Sequence, residues 1–140
     1  MSKRVFIDTN VMLDLLGERV PFYNEAAKLA TLAEKGRLMI VVSPISFATV
    51  NYFISKYENA QIALDKLRKF KIISETSAIN EQTIEKGLNS DFKDFEDALQ
   101  YFCAIDSNCE AIITRNAKDF KKSVLPVMTA DEYLKSQKAS

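Results

Sequence analysis

Apolar residues along this chain fall into two rhythms, short unbroken runs and longer stretches spaced three or four apart, and the two alternate. Arg4 to Ile7 reads as a buried strand, and Asn10 to Leu16 follows with Val11, Met12, Leu15 and Leu16 at helical spacing. Pro21 to Lys35 repeats Phe22, Ala26, Leu29, Ala30 and Ala33 on one side and then meets Gly36, the pattern of an amphipathic helix with a glycine stop. Leu38 to Val42 is a second strand. Ser43-Pro44 opens the next helix, because a serine hydroxyl caps free amides and a proline in the first turn forfeits no hydrogen bond; that helix runs to about Tyr57.

Asn59 to Lys69 is helical through Ile62, Ala63 and Leu67, and Phe70 to Ile73 has the β-branched character of a short strand. Thr76 to Leu88 reads as a helix ending near Gly87 or Asn89. Phe92 to Ile105 puts Phe95, Ala98, Leu99, Phe102 and Ile105 on one face of another helix. Ala111 to Thr114 is a strand followed by a helical turn, Leu125 to Met128 an edge strand, and Thr129 to Glu132 the start of a short terminal helix whose acids suit the N-terminal dipole. A polar tail, Lys135 to Ser140, is expected to fray.

Strands alternating with helices predict a mostly parallel central sheet, since parallel neighbours require crossover connections, with helices on both faces: a three-layer α/β/α sandwich. At 140 residues with 47% apolar content the chain fits one compact domain. Nineteen basic residues balance nineteen acidic ones, so any phosphate-binding surface is local rather than global. Asp8 and Asp14 interrupt the first apolar stretch and no run approaches the roughly 20 apolar residues of a membrane span, which points to a cytoplasmic protein. There is no histidine, so the usual zinc sets and every His-based nucleophilic triad are excluded, and Cys103 and Cys109 read as a buried thiol pair.

The chemistry left is carboxylate chemistry. Asp8 closes the run Val5-Phe6-Ile7, at the carboxyl end of a strand, where ligands bind in parallel sheets. Asp94 and Asp97 are three apart on a predicted helix, and Asp119 lies just past Thr114-Arg115-Asn116. Each has a bland counterpart: Asp8-Thr9-Asn10 are capping types, Asp97 suits a solvated helix face, and Asp119 suits a helical turn. An acid buried at the end of a sheet needs a partner, however, and a hard cation is one. Arg115, Lys118, Lys121 and Lys122 form a basic cluster able to attract phosphates, or equally a solvated surface.

Val5-Phe6-Ile7-Asp8-Thr9-Asn10-Val11, Asp97-Ala98-Leu99, and Thr114-Arg115-Asn116 with Asp119-Phe120 together resemble the PIN domain family, specifically the small ribonuclease toxins of VapC type. The similarity runs from Arg4 to about Leu134. It implies that Asp8, Asp97 and Asp119 bind Mg²⁺ or Mn²⁺ and hydrolyse RNA phosphodiesters, supported by Asn10, Thr114 and Asn116. It also implies a homodimer and an antitoxin partner lying across a helical groove.

The sequence departs from the family in one respect. A glutamate usually stands about one turn into the helix after the second strand, and register assigns that position here to Thr49, leaving one negative charge fewer at the cation. Asp94 is the candidate to compensate. A catalytically weak PIN domain that binds RNA or protein is therefore the second reading. Metal-dependent phosphatase chemistry ranks last, because Asp8-Thr9-Asn10 lacks the second aspartate of a phosphoaspartyl pair. The helix from Pro44 carries apolar residues on more than one side, through Phe47, Tyr52, Phe53 and Tyr57, and either a partner or neighbouring helices cover the excess.

Overall fold

The protein is described here by a computed structural model covering residues 3–138. Its strands are β1 (Lys3–Ile7), β2 (Leu38–Val42), β3 (Ser74–Thr76), β4 (Ala111–Ile113) and β5 (Val127–Met128). They form one sheet in the order β3-β2-β1-β4-β5, and every neighbouring pair is parallel. The helices are α1 (Thr9–Leu16), α2 (Tyr23–Glu34), α3 (Pro44–Tyr57), α4 (Ala60–Ile72), α5 (Glu81–Leu88), α6 (Phe95–Asp106) and α7 (Ala130–Lys138), with a 3₁₀ turn at Ala117–Phe120.

Alternation along the strands divides the core in two. Val5, Ile7, Ile40, Val42, Ala111 and Ile113 face one way and pack with residues of α1, α2, α3, α4 and α7. Phe6, Val41 and Ile112 face the other way, against Tyr101, Cys103 and Ala104 of α6. Helix α5 packs on α6, where Gly87 allows close approach: a Cβ there would stand 3.1 Å from Cε1 of Phe95 and 3.2 Å from Cδ2 of Leu99. The result is the expected three-layer sandwich.

The chain winds from β1 outward through β2 to β3, then crosses to β4 and β5 on the other side of β1. That reversal opens a crevice beyond the carboxyl ends of β1 and β4, whose register pairs Ile7 with Ile113. Asp8 and Thr114 are the next residues on either side of it.

Local signals set the boundaries. Ser43 caps α3 ahead of Pro44, as expected, and Gly36 ends α2 with φ of 72°, a left-handed conformation that glycine adopts without steric cost. The strand expected at Phe70 to Ile73 is instead the last turn of α4 and the turn that follows it. Phe70 is buried and meets Phe47 edge-on at 6.0 Å, so packing overrides β-branched propensity, and the strand begins at Ser74. Thr76 accordingly belongs to β3, and α5 starts at Glu81 behind a capping box between Asn80 and Thr83. The fraying expected from Lys135 gives way to helix through Lys138, while residues 139 and 140 lie outside the described range.

Cys103 and Cys109 are buried free thiols, and burial raises the pKa of both, Cys109 to about 12. Helix α3 buries Val50 and Ile54 in the monomer and packs Phe47 and Phe53 against the same core, but Tyr52 and Tyr57 remain exposed. Among the described residues no helix is long and apolar enough to cross a membrane.

Candidate metal centre at the end of the sheet

Asp8 leaves β1 in extended conformation and caps α1, its Oδ1 accepting from the Thr9 amide at 2.9 Å. Only 7% of the residue is exposed. Its other donors are neutral side chains: Thr114 Oγ1 at 2.9 Å and Asn10 Nδ2 at 3.2 Å reach Oδ2, and Gln100 Nε2 reaches Oδ1 at 3.2 Å. Asn10 is itself held, accepting from the Arg115 amide at 3.3 Å, and Thr114 accepts from the Asn116 amide at 3.1 Å. Thr114 and Asn10 are therefore both hydrogen-bonded to Asp8. Asn116 contributes through its backbone, while its side chain is exposed.

Asp97 stands in the first turn of α6, partly buried. Burial, followed by the neighbouring carboxylates of Asp94, Asp119, Asp8 and Glu96, lifts its pKa from the ordinary 3.8 to about 7. Glu96 beside it is raised as well, by burial first and then by Asp94 and Asp8. Of the three acids singled out by sequence, Asp8 and Asp119 thus both act electrostatically on Asp97. Asp97 and Asp119 share the wall of a cavity of about 360 Å³ with Phe92, Lys118, Lys121 and Lys122, and Asp8 lies outside that lining.

Among the described residues, no three of His, Cys, Asp and Glu converge closely enough to hold an ion by themselves. The donor set nevertheless suits a hard cation. All its candidate ligands are oxygens, and among the described residues Asp97 faces like charges without an ion pair to a lysine or arginine. Mg²⁺ keeps several waters and commonly uses only one or two carboxylates, so an incompletely closed acidic site fits it.

Four expectations change. Asp94 precedes α6 instead of standing on its face, although its carboxylate still lies near Asp97 and lines the same cavity. It is the N-cap of α6, its Oδ1 accepting from the amides of Glu96 at 2.7 Å and Asp97 at 3.3 Å. Arg115 is not a free phosphate ligand either. Its Nε donates to Asp14 Oδ2 at 2.7 Å and its Nη2 to Oδ1 at 3.2 Å, while the guanidinium lies 4.0 Å from the Phe22 ring centroid. Asp14 is buried and also takes Arg19 at 3.0 Å, so two arginines neutralise it.

Thr49, assigned by register to the position of the glutamate, is partly buried, and among the described residues its hydroxyl takes no part in the hydrogen bonding around Asp8. The polar contribution of α3 comes from Ser46 one turn earlier, whose hydroxyl lies 2.7 Å from that of Thr9 and 3.1 Å from Gln100 Nε2. Finally, Gln100 belongs to this site without having been expected there, although it stands three residues after Asp97, on the same side of the helix. Lys118, Lys121 and Lys122 remain exposed at the cavity.

Comparison with known proteins agrees with this architecture. The chain is 28% identical over 137 residues to "Ribonuclease VapC1" of Aquifex aeolicus (strain VF5), covering 94% of each. Among solved structures it resembles a toxin-antitoxin complex from Klebsiella pneumoniae, with 26% identity, a TM-score of 0.67 and coverage of 90% of this chain and 97% of that one. VapBC2 from Rickettsia felis, bound to a DNA fragment from its promoter, shares the fold at 21% identity, with a TM-score of 0.65 over 89% and 96% of the two chains. A sequence model of the PIN domain matches residues 4–118, which take in β1 through most of the acidic rim, and on that match the chain belongs to the PIN domain family.

Proposed function

We propose that this protein is a divalent-metal-dependent endoribonuclease, the toxin of a toxin-antitoxin pair, acting in the cytoplasm. The observation that carries the reading is the acid group itself: Asp8 fixed at the β1/β4 crevice, and Asp97 raised to about 7 by burial and by carboxylates that include Asp8 and Asp119. Asp8, Asp97 and Asp119 would hold Mg²⁺ or Mn²⁺, directly or through water. Bound there, the cation lowers the pKa of a water nucleophile and offsets the charge that develops on phosphate.

The chain's own residues do the rest. Neutral donors orient Asp8 without cancelling its charge, so its attraction for a cation is preserved. With a pKa of about 7, Asp97 exchanges its proton readily at neutral pH, and a cation held beside it would favour the carboxylate form. Lys118, Lys121 and Lys122 border the same cavity and draw the RNA backbone toward it, with Asp119 between them in sequence. Exposed Tyr52 and Tyr57 on α3 offer surface for a second copy or for an antitoxin, the kind of partner found in the complexes of its structural neighbours.

The second reading, a PIN domain that binds RNA or protein without cutting, is favoured by Thr49 in place of the glutamate. The test is cleavage of a mixed RNA pool in Mg²⁺, Mn²⁺ or EDTA by wild type, Asp8→Asn and Asp97→Asn. Metal-dependent cutting that both variants lose supports catalysis. Cutting that persists in the variants overturns it, and RNA binding without any cutting selects the second reading.

A further inference from the structure

We infer that Gln100, as an uncharged donor to Asp8, is a positioning residue for the metal centre, and that Ser43 holds its amide by donating to Oε1. The inference rests on the reading of Asp8 as a metal ligand. Gln100 is 1% exposed and sits among Ala98, Leu99, Cys103 and Ala104 in the buried stretch of α6. Its Nε2 reaches three oxygens: Asp8 Oδ1 at 3.2 Å, Thr9 Oγ1 at 3.2 Å and Ser46 Oγ at 3.1 Å. At the other end of the amide, Oε1 accepts from the Ser43 hydroxyl. One side chain therefore ties the end of β1, the start of α1 and the start of α3 to the helix that carries Asp97.

The polarity of this arrangement is what matters to a cation. A reversed amide would set Oε1 against the Asp8 carboxylate, acceptor against acceptor, so the carboxylate fixes the direction of the amide. Ser43 satisfies Oε1 as a donor while accepting from the Ser46 amide at 3.3 Å, so the N-cap of α3 also holds the amide in place. A lysine or arginine in the place of Gln100 would neutralise Asp8 and compete with a metal ion. An amide holds the carboxylate in place and leaves its full charge available. An apolar side chain there would leave the buried Ser43 hydroxyl and Asp8 each a partner short, so Gln100 also stabilises the fold, and its positioning role is read from cation affinity in folded protein.

The test uses Gln100→Met, close in volume but without donors, together with Ser43→Ala and the double variant. Mn²⁺ binding to RNA-free protein is read from the electron paramagnetic resonance of the free ion, thermal melting confirms folding, and cleavage rates over a range of RNA concentrations separate kcat from KM. Gln100→Met is expected to weaken Mn²⁺ about 10–100-fold, the usual effect of removing an outer-sphere hydrogen-bond partner. Its kcat should fall in step while KM, governed by the lysine rim, stays unchanged. Ser43→Ala should act in the same direction but less, and the double variant should bind no worse than Gln100→Met, since both act through one amide.

A folded Gln100→Met protein with wild-type Mn²⁺ affinity overturns the inference, as do additive effects in the double variant or a wild type that binds no Mn²⁺. If Gln100→Met does not fold, unchanged Mn²⁺ affinity in Ser43→Ala overturns it. Gln100-dependent Mn²⁺ binding in a wild type that cuts no RNA would leave the positioning role standing and remove the nuclease reading instead.

Discussion

The two sides of the crevice handle negative charge in opposite ways. At the β1 end, both oxygens of Asp8 are occupied by neutral donors, from Thr9, Asn10, Gln100 and Thr114. On the α6 side, Asp97 faces Asp94, Asp119, Asp8 and Glu96 with no ion pair to a cation among the described residues, and its pKa is raised to about 7. One carboxylate is thus positioned in advance and the other is held at a cost. On the proposed reading, a divalent ion would be oriented by the first and would relieve the second. The native fold is locally unfavourable where function is expected, a familiar consequence of gathering like charges for catalysis.

The sharpest way to break this comparison is to substitute each acid in turn. Asp8→Ala and Asp97→Ala are both expected to lower RNA cleavage by about 10²-fold or more. Their effects on stability should have opposite signs. Asp8→Ala leaves buried donors unpaired and costs about 1–3 kcal/mol by denaturant unfolding, whereas Asp97→Ala at pH 8 should stabilise the metal-free protein. Loss of stability in both would mean that Asp97 carries no electrostatic strain.

A larger destabilisation belongs to a site that does no chemistry in this scheme. Asp14→Ala strips a buried carboxylate from Arg115 and Arg19 and should cost about 3–5 kcal/mol, read as a lower urea midpoint. A change within experimental error would show that the pair merely decorates the surface of α1.

pH sharpens the comparison further. The Asp97 pKa is raised on folding, so the folded state binds more protons than the unfolded chain between the ordinary 3.8 and about 7. The resulting penalty is absent below that window, grows as pH rises through it and is complete above about 7. Asp97→Asn should therefore raise Tm at pH 8, by about 3–6 °C for each kcal/mol relieved in a chain of this size, and leave it unchanged at pH 3. Mn²⁺ should raise the wild-type Tm more at pH 8 than at pH 5, and a pH-independent increase would place the ion elsewhere.

The smallest expected effects concern the rim. Lys118→Ala, Lys121→Ala or Lys122→Ala should each weaken single-stranded RNA binding and reduce its log-log salt dependence by roughly 0.7 for every phosphate that is no longer neutralised. Arg115→Ala should leave that slope unchanged, because its guanidinium is committed to Asp14.

What the sequence revealed follows from the range of the interactions involved. The order of strands and helices, and the rim formed by Asp8, Thr114 and Asn10, rest on local runs of residue type and on chain order, both visible in one dimension. Phe70 reads as strand because its partner, Phe47, lies on another helix, and no local feature distinguishes a buried phenylalanine in α4 from one in a strand. Arg115 reads as a phosphate ligand because Asp14 is about a hundred residues away. Asp94 is a capping residue that helical spacing alone places on the wrong side of a helix boundary. Gln100 has a readable signal, a lone amide one turn beyond Asp97 in an otherwise apolar stretch, but its meaning depends on Ser43 and Ser46 from a separate element.

The outer strands have a bearing on assembly. β3 spans three residues and β5 only two, so each border of the sheet offers a short, interrupted row of backbone groups. Such borders are poor templates for adding strands from another molecule. Two copies of this protein would accordingly meet through side chains on their helices, and changes to those side chains, not to the strand backbone, would determine whether they associate.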